Sequence, residues 1–272
     1  MEASLDRRIV AEIVGTFGFF FAGFSGLAAA VVHKGSIDGQ GQALCFGLGL
    51  TAMIFAFGHV SGGHYNPAVT FGLACGGRFP VKEVPLYWAA QLIGGLGAAG
   101  LVRGLWNSKV ADQLPDAPAP GVSDGKAFLI EAVATFLFLL VISSVATDST
   151  APWNGVFAPV AIGGFIFTAA TWAGPYTSGS FNPARSLAPS LITGTYTSEW
   201  VFLLGPLVGG ALGGAVFTFI RRPGTFLAPH PPPNVIERRW ADEAIDIPEE
   251  ETEYEREAAL ARRGRHSQSV RR

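Results

Sequence analysis

Six apolar stretches, each close to the length a helix needs to cross a bilayer, constrain this chain more than any other feature. They cover residues 9–32, 43–60, 87–105, 127–146, 156–173 and 200–220. A hydrocarbon core of about 30 Å takes roughly 20 residues of helix. Glycine is frequent inside the stretches, which suits helices that pack backbone against backbone in lipid. Charged residues make up 15% of the chain, against roughly 25% in soluble domains, and they concentrate toward its C-terminal end. The net charge of −2 gives no reason to expect a nucleic-acid partner. The first apolar run is too long for a cleavable signal peptide, and none is expected. Cys45 and Cys75 have no metal or disulfide spacing and read as buried free thiols.

Two further apolar pieces, residues 67–74 and 183–192, are only half a span long. Such pieces survive at membrane depth only where protein buries them or where they line a water-filled cavity. Lysine and arginine set the orientation. Arg7 and Arg8 precede the first span, Arg78 and Lys82 follow the second, and Arg221 and Arg222 follow the sixth. With six spans these fall on one side, so both termini are expected in the cytoplasm. Lys34, Lys109 and Lys126 are a minor contrary signal. The connector 106–126, with Asp112, Asp116, Asp124 and several prolines, reads as an external loop between two halves.

The halves resemble each other. Ala11-Glu12-Ile13-Val14-Gly15-Thr16-Phe17 recurs as Ile130-Glu131-Ala132-Val133-Ala134-Thr135-Phe136, an offset of 119. Ser61-Gly62-Gly63-His64-Tyr65-Asn66-Pro67-Ala68 recurs as Thr177-Ser178-Gly179-Ser180-Phe181-Asn182-Pro183-Ala184, and Gly94-Gly95 as Gly209-Gly210, at offsets of 116 and 115. Each half holds three spans, an odd number, so the second copy enters the membrane inverted. Inverted repeats place their functional site at the midplane, where interrupted helices meet. The expected fold is an all-α membrane protein with six transmembrane helices and two re-entrant half-helices. Its channel domain covers residues 1–220, with halves at about 8–105 and 127–220. Residues 221–272, rich in proline and charge, read as a disordered cytoplasmic tail.

Asn is a favoured N-cap and Pro a favoured first helical residue, so Asn66-Pro67-Ala68 and Asn182-Pro183-Ala184 open the two half-helices. Each helix N-terminus carries roughly half a positive charge. Two such ends facing one another repel cations, and the two Asn amides can donate to a passing water oxygen. These residues, within His64-Tyr65-Asn66-Pro67-Ala68-Val69-Thr70 and Phe181-Asn182-Pro183-Ala184-Arg185-Ser186, resemble the paired motifs of aquaporins. The resemblance covers about residues 8–220 and is closest in pattern to bacterial water channels.

Glu12 and Glu131 lie several residues inside apolar spans, where a bare carboxylate is costly. The resemblance implies that they accept hydrogen bonds from the loops that carry the half-helices; a proton relay is the alternative. His64 reads as a loop-holding residue, since no second metal ligand lies at a suitable spacing, and neither metal nor cofactor is expected. The resemblance also places Phe46, Ala170, Gly179 and Arg185 at an external constriction. Water-selective members usually carry His where Ala170 stands. Glycerol-conducting members usually have an Asp after the arginine, and here Ser186 follows Arg185. The expected function is passive conduction of water, with protons and ions excluded, across the cell membrane. The alternative is a wider facilitator for glycerol, hydrogen peroxide or uncharged metalloid acids. A secondary transporter is a weaker reading, and no nucleophile–base constellation suggests an enzyme. A homotetramer is what the resemblance implies.

Overall fold

The computed structural model describes residues 3–151 and 155–221. The tail from residue 222 onward lies outside the described residues. Every regular element among them is helical. The first half comprises α1 (Leu5–Val32), α2 (Gly39–Ser61), the short α3 (Pro67–Cys75) and α4 (Val84–Leu105). A single turn, α5 (Ser108–Ala111), lies in the connector. The second half repeats the order with α6 (Asp124–Ile142), α7 (Ala158–Thr177), the short α8 (Pro183–Thr193) and α9 (Glu199–Arg221). Six long helices and two half-helices are thus arranged in two matching halves. The apolar runs end where local chemistry ends them. Asp38 caps α2 by accepting from the Gly41 amide at 2.8 Å, and a left-handed Gly194 closes α8.

Five of the long helices are long and apolar enough to cross a membrane. The other, α7, has 20 residues, a length of about 30 Å. Pro159, Pro175 and several glycines and threonines dilute its hydropathy. The solvent for this surface is lipid, and the pattern is inverted accordingly. Val10, Val14, Leu48 and Phe55 are exposed, as are Leu129 and Val133, the repeat counterparts of Val10 and Val14. Glu12, Gln91 and Glu131 are fully buried.

Packing follows the repeat. Helix α1 packs on α2 and α4, and α6 packs on α7 and α9. The two halves meet through α2 and α7. Each half-helix also packs on the last helix of the other half, α3 on α9 and α8 on α4. These approaches are close because glycine removes the side chain. A Cβ on Gly94 would lie 2.4 Å from the Ile13 carbonyl oxygen, and one on Gly209 would lie 2.0 Å from that of Ala132. Ile13 and Ala132 are themselves repeat counterparts, so one contact is built twice.

The thiols differ from expectation. Cys45 is partly exposed and Cys75 is exposed, both free. Cys75 is the last residue of α3, where the half-helix leaves the packed interior.

Adding a methyl at Gly209 drives it into backbone that cannot rotate away, and overpacking of this kind costs about 1–3 kcal/mol. Gly209→Ala is therefore expected to melt at lower temperature in detergent than the parent. Gly104→Ala, with nothing within 4 Å of the added Cβ, should melt unchanged. Equal melting of all three proteins would contradict the close-packing account.

Candidate pore and constriction

The half-helices start nose to nose. Asn66 Nδ2 donates to the Phe181 carbonyl at 2.8 Å, and Asn182 Nδ2 donates to the Tyr65 carbonyl at 2.9 Å. Each Asn oxygen meanwhile caps its own helix. Asn66 Oδ1 accepts from the Ala68 amide at 2.8 Å, and Asn182 Oδ1 accepts from the amides of Ala184 and Arg185 at 3.1 and 3.4 Å. A carboxamide carries two N–H donors, so one on each Asn remains beyond the crossed pair.

The carbonyls that complete the clasp belong to residues in the left-handed region, Tyr65 at φ 48° and Phe181 at φ 53°. Non-glycine residues adopt it at a cost on the order of 1–3 kcal/mol. Buried glutamates hold them there. Glu12 Oε2 accepts from the Tyr65 amide at 2.8 Å, and Glu131 Oε2 accepts from the Phe181 amide at 2.7 Å. The other carboxylate oxygens also hold the loops. Glu12 Oε1 accepts from Ser61 Oγ and the His64 amide at 2.7 and 3.0 Å. Glu131 Oε1 accepts from Thr177 Oγ1 and the Ser180 amide at 2.7 and 3.1 Å. His64 is buried, with Nδ1 3.1 Å from Thr70 Oγ1 and its ring against Phe79 and Tyr87. Among the described residues no group of His, Cys, Asp or Glu could hold a metal.

Two cavities meet near this clasp. One, of about 510 Å³, runs from Arg8 and His59 past Asn66 and Asn182 to Arg185, with Val69 and Ile162 among its apolar walls. The other, of about 530 Å³, opens among Asp38, Gln40, Gln42, Gln113 and Ser178. Four residues line both: Phe46, Ala170, Gly179 and Arg185. The guanidinium carbon of Arg185 lies 5.3 Å from the Phe46 ring centre and 5.7 Å from that of Phe24. Gly23 makes room for Phe46, since a Cβ there would lie 2.2 Å from its ring. Trp172 and Tyr176 are exposed and line neither cavity.

Two residues of this constellation escape a motif reading. Gln91 of α4 donates to Glu12 Oε2 at 2.8 Å and to Thr70 Oγ1 at 3.0 Å. Asp116, from the connector, is fully buried and forms an ion pair with Arg185. Burial pushes the Asp116 carboxyl above its ordinary range, while the Arg185 charge and the Ser186 hydroxyl pull it back. The available signal was an arginine at membrane depth with Ser186, not an acid, beside it. At the opposite mouth, hydrogen bonding to Arg221 holds Asp148 well below the usual carboxylate range.

The chain's sequence over residues 1–217 matches the family model described as major intrinsic protein. It is 39% identical over 215 residues to Aquaporin NIP1-1 of Zea mays, covering 79% of this chain and 75% of that protein. It is 40% identical to Nodulin-26 of Glycine max, covering 79% and 78%. Among solved structures, it resembles the aquaglyceroporin from Plasmodium falciparum at a TM-score of 0.70 and 27% identity, over 80% of this chain and 95% of that one.

Removing Glu131 strands the amides of Ser180 and Phe181 and the Thr177 hydroxyl in a low-dielectric interior, at about 1–3 kcal/mol per group. Glu131→Leu is expected to lose yield and to melt at lower temperature, before any change in which solutes pass. Unchanged melting with lost flux would point to a proton relay instead.

Proposed function

The chain belongs to the major intrinsic protein family, and we propose that it conducts water and small neutral solutes passively past Asn66 and Asn182. It is a membrane channel. The observation that carries the reading of its pore is the set Phe46, Ala170, Gly179 and Arg185, common to both cavities. In this reading a permeant crosses from one cavity to the other among those four side chains. It then meets the positive ends of α3 and α8, each worth roughly half a charge, which disfavour cations and hydronium. The free N–H of each Asn donates to the same water oxygen. That water's own hydrogens then point away along the path, and it cannot relay a proton through itself. No group binds a neutral permeant tightly, so permeants also leave.

Ala170 and Gly179 bring almost no bulk to the constriction, and neither neighbouring aromatic lines it. The wider reading follows: solutes of glycerol size pass along with water. The Plasmodium falciparum relative carries the name aquaglyceroporin, which agrees with that range. A secondary transporter would need an acid free to carry a coupling ion, but the carboxylates of Glu12 and Glu131 are committed to their loops. We further assign residues 1–220 to the channel, with both termini in the cytoplasm on the side expected from the placement of lysine and arginine, and place four copies in the assembly as the family pattern implies.

Stopped-flow swelling of proteoliposomes in water, urea and glycerol gradients tests the wide constriction. Ala170→His puts an imidazole opposite Phe46 and Arg185. It is expected to cut glycerol permeability at least severalfold while most water flux remains. A parent that already excludes glycerol as well as the variant does would overturn the wide reading. Uphill solute accumulation driven by a proton gradient would overturn passive conduction.

A further inference from the structure

The Arg185 side chain is 4% exposed, and an unpaired cation there would be poorly solvated. The connector supplies the counter-charge through a built path. Asn107 caps α5 by accepting from the Val110 amide at 3.1 Å, and Leu114 is buried. The Leu114 carbonyl accepts from Arg185 Nη1 at 3.3 Å, and Asp116 Oδ1 accepts from the same nitrogen. Beyond Asp116 the loop is tied to the end of α7. The Ala117 amide meets Ser178 Oγ at 3.3 Å, and the Ala119 amide donates to the Tyr176 carbonyl at 2.9 Å.

The repeat supplies a second, independent observation. Thr70 and Ser186 are counterparts, each four residues after its Asn. In the first half, Thr70 is held by His64 and by Gln91 of α4. In the second half, the position matching Gln91 is Pro206 of α9, which has no polar side chain. The carboxylate of Asp116 takes that role instead: Ser186 Oγ donates to Asp116 Oδ2 at 2.7 Å and lies 2.5 Å from Ser180 Oγ. The first half has Val69 where the second has Arg185. The acid thus arrives only on the half that carries the cation.

We propose that Asp116 is a positioning residue for the constriction: it draws the Arg185 guanidinium onto the connector and neutralises it, keeping the passage open to solutes wider than water. This inference rests on the reading of Arg185 as a constriction residue. Released from Asp116, the guanidinium keeps only the Leu114 carbonyl on the connector, and on the side of the constriction the rings of Phe46 and Phe24 attract it, at the contact distances given above. Ala170 and Gly179 present no side chain that would stop it from swinging toward them. Loss of the acid should therefore narrow the passage, and narrowing affects glycerol more than water.

The test compares water, urea and glycerol permeabilities of the parent and of Asp116→Asn in proteoliposomes, with melting temperature measured alongside. The expected result is a glycerol-to-water permeability ratio at least about fivefold lower in the variant. A loop anchor alone would lower melting and all fluxes together, leaving the ratio unchanged. That outcome overturns the inference and leaves the channel reading intact. A parent that passes water but neither urea nor glycerol overturns the inference along with the wide constriction. If Asp116→Asn yields no folded protein, the ratio is read on Asp116→Asn with Ser186→Asp, which returns a carboxylate from the neighbouring position on α8. A parent-like ratio there supports charge compensation, and a ratio as low as that of Ala170→His overturns it.

Discussion

Tyr65 and Phe181 are each gripped from two sides, and the rest of the pore depends on that grip. The amide of each donates to a buried glutamate of its own half, and the carbonyl of each accepts from the asparagine of the other half. The glutamate keeps the residue in its left-handed conformation, which turns the carbonyl toward the opposite helix. The asparagine then ties the two half-helices together and caps its own. Because all these groups are buried, each partner left unmade would cost its full desolvation, so the network holds as a whole or fails as a whole.

The close helix packing serves the same end. Half-helices too short to span the membrane are stable there only if protein surrounds them. Helices α4 and α9 provide the surround by packing on the half-helix of the opposite repeat, and where α9 meets α3, at Gly210 and Gly214, the contact admits no Cβ. The exchange of half-helices between repeats makes the two halves interdependent: α3 sits on a helix of the second half and α8 on a helix of the first. Charge is treated in a similar way. Glu12, Glu131 and the Asp116–Arg185 pair are all buried, and all have hydrogen-bonded partners.

Much of this architecture was legible in the sequence because it rests on local or repeated signals. Apolar run lengths mark the long helices to within a few residues, and Asn-Pro marks the start of each short one. The repeat marks Glu12 and Glu131 as a pair, since two isolated acids in lipid-length segments have no other common cause. The less legible parts depend on contacts between distant residues. Gln91 reaches Glu12 and Thr70 from a helix whose sequence gives it no special mark. Asp116 stands among other loop acids, and nothing in its neighbours distinguishes it from Asp112. The exposure of Trp172 and Tyr176 depends on the rotation of α7 about its axis. Its pattern of small and large residues does not define that rotation, because both faces are apolar. The exposure of Cys75 likewise depends on where the short α3 ends relative to its neighbours.

The central claim is that two facing helix ends, joined by the asparagine clasp, pass neutral molecules and stop charge. Osmotic shrinkage and proton leak recorded on the same proteoliposomes, under matched osmotic and pH gradients with valinomycin present, address it most directly. The account predicts water flux well above that of protein-free vesicles, with a proton leak indistinguishable from theirs at every protein density. A proton leak that rises in step with the water flux would contradict it.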